Sequence, residues 1–118
     1  MAKKKIAYLG PAGTFAEQAT ITYNPNSELV PCPSIPSVAQ SVESEMSNEG
    51  VVPIENSLEG SVNQTLDILI DSTGLFIRYE LVLPIDHCLM TRPGTPTDAL
   101  DVIFSHPQAL AQCRRFLQ

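Results

Sequence analysis

The chain has 118 residues, 43% of them hydrophobic, enough for one core, since a folded chain of this size removes well over half of its unfolded surface from water. Its 7 Lys and Arg against 13 Asp and Glu give a formal net charge of −6. With no basic stripe to follow a phosphate backbone, nucleic acid is excluded as an expected partner, and no run reaches the roughly 18 apolar residues of a membrane span.

The basic opening "MAKKKIAYLG" passes directly into a short apolar run and a glycine, without the apolar stretch of a signal peptide, so a cytosolic chain is expected. Its "KKIAYLG" (Lys4 to Gly10) reads as a strand. "PAGTFAEQATITY" follows as a helix, with Phe15, Ala19 and Ile21 to Tyr23 at near-helical spacing. "ELVPCPS" (Glu28 to Ser34) reads as a second strand, placed at an edge by its prolines. The next helix is expected to take Ser37 as N-cap, to align Val38, Val42 and Met46, and to end at Gly50. "VVPIEN" is the third apolar run, and Ser61 is expected to cap a helix whose Val62, Leu66, Leu69 and Ile70 share one face. Strands alternating with helices predict an α/β fold on a parallel sheet.

After Leu75 the rhythm changes. "LFIRYELVLPIDHCLM" is long for one strand and reads as a crossing segment that leaves a first lobe, residues 1–83, and opens a second, residues 84–118. "RPGTPT" is turn chemistry, "DALDVIFS" predicts a short helix or turn and a strand, and "HPQALAQCRRFLQ" a helix with Pro107 at its first position. Leu110, Cys113 and Leu117 then form an apolar face with no later element to cover it. Cys32, Cys88 and Cys113 are widely separated, without a CxxC pair or a histidine at ligand spacing. They read as small buried hydrophobes rather than a disulfide framework or a zinc site.

Three polar elbows, "GPAGT", "ENSLEGS" and "SHPQ", fall where a strand is expected to end and a helix to begin, which in open α/β sheets marks the ligand crevice. Helix starts offer unpaired N–H groups and about half a positive charge, so three converging starts can hold a small polyanion such as a dicarboxylate. Asn56, Ser57, Thr14 and Ser105 supply donors, and Gly10, Gly13 and Gly60 let a ligand approach the backbone. Each elbow by itself also reads as an ordinary capped turn, and "GPAGT" is neither a dinucleotide fingerprint nor a P-loop. Glu55 carries two readings: a carboxylate desolvated at a strand end and suited to hold a proton, or a partner for neighbouring backbone N–H groups. Glu59 is read as facing solvent or supporting the next helix start, and His106 as a cap or packing residue. His87 is read as structural within a strand, and Glu43, Glu45 and Glu49 as a solvated helix face.

"IAYLGPAGTFAEQA", "GVVPIENSLEGSVNQTLDIL" and "SHPQALAQCRRFL", in this order, resemble the catalytic domain of the prephenate dehydratases over nearly the whole chain. The resemblance implies two α/β lobes similar to type II periplasmic binding proteins, with the second lobe incomplete in this sequence. It implies decarboxylation and dehydration of prephenate to phenylpyruvate without metal or organic cofactor; the uncovered apolar face of the last helix, for its part, leads to the expectation of a homo-oligomer. Carried over by motif, Glu55, Asn56 and Ser57 are catalytic, and Pro11, Gly13, Thr14, Ser105, His106, Gln108 and Ala109 bind substrate. The family's downstream Thr-Arg-Phe segment and regulatory ACT domain do not occur in the sequence, so the front part of an enzyme, weakly active by itself, is expected. Arogenate as substrate, and a non-catalytic module binding small carboxylates, are the alternatives.

Overall fold

Ile6, Ala7 and Tyr8 are 0, 0 and 1% exposed, so the middle of strand β1 (Lys5–Leu9) is buried on both faces, which is why this run carries no polar alternation. The computed structural model describes residues 3–56, 60–72 and 74–118, and the chain divides into two compact units, Met1–Leu83 and Pro84–Gln118. The first unit continues with α1 (Phe15–Tyr23), β2 (Glu28–Cys32), α2 (Ile35–Glu43) and β3 (Glu49–Val51). A two-residue pair, β4 (Glu55–Asn56) and β5 (Gly60–Ser61), and helix α3 (Asn63–Asp71) follow. The sheet is parallel, in the order β2-β1-β3, with Ala7 opposite Val30 on one side and Gly50 on the other. Strand β2, with Pro31, is an edge, as its prolines predict.

The two faces of β1 meet different helices. Tyr8 reaches Glu17 of α1 through its hydroxyl, whereas Ala7 clusters with Cys32 and Val38, the latter on α2. Against the sequence expectation, Phe15 and Ile21 of α1 are exposed and the buried residue is Thr20, which donates to the Ala16 carbonyl at 2.7 Å. Thr20 can be buried because that bond satisfies its hydroxyl, so the face containing Ala16, Thr20 and Tyr23 turns inward.

Helix α2 starts earlier than the sequence suggests. Ser34, not Ser37, is the N-cap, and Ser37 completes a capping box with it. The helix ends at Glu43 rather than at Gly50, and the left-handed residue after it is Glu45, at φ 63°. Met46 therefore lies outside the helix and is 72% exposed. Gly50 belongs to β3, where a Cβ would stand 2.9 Å from Val38 Cγ1 and 3.1 Å from Val42 Cγ2. The glycine is needed for close approach of α2, not for a helix terminus. Strand β3 stops at Val51, so "VPI" leaves the sheet. Helix α3 begins after Val62 with no side-chain cap, so Ser61 is not its cap, and Ile70 of the expected apolar face is exposed.

Glu49, expected on a solvated helix, lies in β3. It accepts a hydrogen bond from Tyr23 at 2.7 Å on Oε2, and Lys4 Nζ stands 3.2 Å from Oε1 in an ion pair without a well-aligned hydrogen bond. The Tyr23 ring also meets that of Tyr79, which follows α3 in the chain, centroids 5.4 Å apart. Burial by itself raises the Glu49 pKa, but the Tyr23 hydroxyl, the Lys4 ammonium and the field of Arg78 outweigh it and hold the carboxyl below its ordinary value. Burial, then the bond to Glu49 and its charge, push the Tyr23 hydroxyl up to about 12.

In the second unit, a single 3-10 turn (Thr97–Ala99) and two short helices, α4 (Pro107–Gln112) and α5 (Arg114–Leu117), are formed. Pro107 opens α4 as expected, but the strands predicted around His87 and before Ser105 are absent among the described residues. His87 instead bonds Gln112 through Nε2 at 2.8 Å. Of the three free cysteines only Cys32 is buried, and Cys88 is exposed.

Gly50→Ala is expected to destabilise the first unit by about 1–3 kcal/mol, because Val38 and Val42 must give way, and urea denaturation measures it. The pH dependence has two signs. The depressed Glu49 pKa contributes stability that is present above its ordinary value of 4.5 and is lost as pH falls through the lowered value. The raised Tyr23 pKa contributes stability that is full below its ordinary 10.0 and is lost as pH rises through about 12. Urea midpoints across acid pH are therefore expected to fall for the wild type and to be flatter for Glu49→Gln.

Candidate functional site at the carboxyl edge of the sheet

Because β1, β2 and β3 are parallel, their carboxyl ends share one edge of the sheet. The chain passes from β1 to β2 on one side and then to β3 on the other, so it changes direction between β1 and β3. Such a switch point leaves a crevice outside the strand ends. Two of the polar elbows flank it: Gly10 to Thr14 follows β1, and the excursion that carries β4 and β5 follows β3.

The first elbow is tied at both ends. Gly10 N–H donates to the Cys32 carbonyl at 2.8 Å, and a Cβ on Gly10 would stand 3.1 Å from Pro31 Cβ, so the close approach of β2 requires glycine there. Gly13 takes φ +87° with open space around it. Thr14 caps α1: its Oγ1 donates to the Pro11 carbonyl at 2.9 Å and accepts from Glu17 N–H at 3.3 Å. Its one hydroxyl proton is therefore committed within the elbow. Glu17 reaches back to accept from Gly13 N–H at 3.1 Å on Oε1 and from the Tyr8 hydroxyl at 3.0 Å on Oε2. Burial of Tyr8, and then the bond to Glu17 and its charge, raise the Tyr8 pKa.

Glu17 and Tyr8 were not among the residues expected from sequence. Thr14-Phe15-Ala16-Glu17 does fit the capping-box pattern, which could have pointed to Glu17, although the carboxylate serves Gly13, one residue beyond the usual cap N–H. Nothing local pointed to Tyr8.

In the second elbow, Glu55 pairs with Ser61 and Asn56 with Gly60, antiparallel. The start of α3 is fastened to this segment by Thr65, 2% exposed, whose Oγ1 donates to the Pro53 carbonyl at 2.7 Å, and by Val62 N–H donating to the Ile54 carbonyl at 2.8 Å. Glu55 is exposed, so the desolvation expected for it is not met: the strand it was thought to end stops at Val51. Ser57 and Glu59 lie outside the described residues.

The third elbow belongs to the second unit. Ser105 and His106 are exposed, the His106 carbonyl accepts from Leu110 N–H at 3.1 Å, and Gln108 and half-buried Ala109 lie in α4. Among the described residues no group of three His, Cys, Asp or Glu is arranged to hold a metal ion, and no helix is long and apolar enough to cross a membrane. A shallow depression of about 500 Å³, lined by Val42, Glu43, Asp71 and Ser72 among others, lies at the carboxyl ends of α2 and α3. It is open and ringed by carboxylates, with Ser72 already donating to Glu43 at 2.9 Å, and does not suit an anion.

A parallel α/β unit with polar elbows on both sides of its switch point belongs to the class that receives small ligands at the carboxyl edge of the sheet. A family model described as prephenate dehydratase matches residues 6–118. The bifunctional chorismate mutase/prephenate dehydratase of Pseudomonas aeruginosa is 43% identical over 114 residues, which cover 96% of this chain and 31% of that protein. Arogenate dehydratase 5, chloroplastic, of Arabidopsis thaliana is 41% identical over 108 residues, 92% of this chain and 25% of that protein. The X-ray structure of prephenate dehydratase from Streptococcus mutans matches with a TM-score of 0.59 at 39% identity, over 60% of this chain and 37% of that one. The chain belongs to the prephenate dehydratase family, and spans about a quarter to a third of the length of these two curated relatives.

Proposed function

We propose that this chain is part of the catalytic domain of a cytosolic enzyme that converts prephenate to phenylpyruvate in phenylalanine biosynthesis. The observation that carries this reading is the presence, in a member of this family, of two polar elbows on opposite sides of the β1/β3 switch point. Residues 1–83 are read as the first lobe, and 84–118 as the opening of the second lobe, of a fold similar to type II periplasmic binding proteins. The boundary between the compact units supports that division.

The reaction asks for aim rather than force. The bond from the ring to its carboxylate breaks and releases carbon dioxide, its electron pair enters the ring, and the ring C–OH bond breaks as the departing hydroxide takes a proton. Aromaticity drives the step. The protein must supply donors for two carboxylates, a proton for the hydroxyl, and a dry surface for the ring. In this reading Glu55, Asn56 and Ser57 serve the reacting groups. Pro11, Gly13 and Thr14 in the first unit, and Ser105, His106, Gln108 and Ala109 in the second, bind substrate. With the Thr14 proton committed to Pro11, Gly10 N–H to Cys32 and Gly13 N–H to Glu17, the donors this reading assigns to the first elbow are the backbone N–H groups of Ala12 and Thr14.

Arogenate is the second reading, favoured by relatives named arogenate dehydratases in Arabidopsis thaliana and Petunia hybrida at 41% and 40% identity. The gene product carrying this sequence is expected to release carbon dioxide from at least one of the two acids, with phenylpyruvate absorbance or phenylalanine as the readout. Failure with both, in a folded sample, would exclude the catalytic reading and favour a carboxylate-binding module. The 118-residue stretch tested alone is expected to bind substrate weakly and turn it over poorly, the Thr-Arg-Phe segment being no part of it. With Phe76, Val82, Met90, Phe104 and Phe116 all strongly exposed, this stretch is also expected to sediment as an oligomer. A monodisperse monomer would count against that.

A further inference from the structure

We propose that Glu17, held from behind by Tyr8, is a positioning residue for substrate binding: its carboxylate fixes the Gly10–Thr14 elbow by clamping Gly13 N–H. This rests on the reading of that elbow as part of the substrate site. The elbow follows the buried strand β1, and its front is fastened by Gly10 to the Cys32 carbonyl. Its rear contains a glycine in the left-handed region, Gly13, with no neighbouring atom within 4 Å of where its Cβ would be. Nothing packs where a side chain would stand, so the turn is fixed by hydrogen bonds: Thr14 Oγ1 to the Pro11 carbonyl at 2.9 Å across it, and Gly13 N–H to Glu17 Oε1 at 3.1 Å within it.

Glu17 is itself anchored. Oε2 accepts from the hydroxyl of Tyr8, a residue 1% exposed in the centre of the sheet, and the Glu17 N–H is bound by Thr14 Oγ1. One carboxylate thus joins the sheet interior, the first turn of α1 and the polar elbow. Its charge sits at a helix start, which tolerates it, and both oxygens receive a donor. It does not need to touch substrate to act. It fixes the conformation of Gly13, and with it the direction in which the neighbouring N–H groups can meet a substrate carboxylate.

The test combines a spectroscopic readout with kinetics on the gene product carrying this sequence. In ¹⁵N-correlated spectra the Gly13 amide is expected to change its chemical shift and to exchange faster with solvent in Glu17→Ala than in the wild type, because its acceptor is gone. Glu17→Ala is expected to raise KM roughly tenfold with a much smaller change in kcat, the size of one hydrogen bond to a charged group. Glu17→Gln, which keeps an acceptor for Gly13, is expected to recover part of the loss, and Tyr8→Phe to show a weaker effect of the same kind. Ser47→Ala, at a buried serine near the opposite edge of the sheet, controls for stability and is expected to leave KM unchanged. A Gly13 amide unchanged in Glu17→Ala, or an unchanged or lowered KM in both Glu17 variants, would overturn the proposal. If the wild type processes neither acid, the substrate role falls with the functional reading, and the Gly13 amide spectrum of Glu17→Ala separately decides the clamp.

Discussion

Burial of β1 on both faces is the constraint from which the rest of the first unit follows. A strand whose Ile6, Ala7 and Tyr8 all avoid water needs a covering layer on each side. With parallel connections of one hand, α1 and α2 reach opposite faces only if β2 and β3 lie on opposite sides of β1, which is the order found. The same order creates the switch point. Hydrophobic burial inside the sheet thereby determines where polar chemistry collects at its edge, and Tyr8 links the two: its ring is core and its hydroxyl holds Glu17, which bonds the elbow.

The alternation of strands and helices was legible because central parallel strands are written as unbroken apolar runs. Boundaries were less so, and for identifiable reasons. In "PSIPS" both serines fit a cap, and the capping box uses both, one as cap and one as its return partner. Gly50 resembles a helix terminator, but the Val38 and Val42 side chains that demand it come from a helix packed against it, which local sequence does not reveal. Glu49 reads as solvent-exposed until Tyr23 and Lys4 are brought alongside. In the second unit, apolar and β-branched residues suggested strands that have no partners to pair with among the described residues.

The site was legible to a similar depth. The elbows could be found from glycines and small polar residues after apolar runs. Which of their atoms are already spent could not, because Thr14, Glu17, Gly13 and Pro11 satisfy one another across a turn. A helix start is attractive to an anion only in proportion to the donors its own side chains leave unused, and at α2 the Ser34–Ser37 box already takes two of them. The resemblance of three sequence blocks carried the family further than periodicity did, since periodicity identifies layers and not chemistry.

Pro31 gives the sheet a polarity of growth. A proline in β2 has no N–H to donate, and the ladder to β1 is intact along Lys5 to Leu9, so the missing donor interrupts the outward row of hydrogen-bonding groups. That flank is a poor template for another strand, whether from this chain or from a neighbour. The β3 flank, Glu49 to Val51, contains no such interruption. Any enlargement of this small sheet is therefore directed to one side, the side of the switch point, and the opposite margin is chemically blunted.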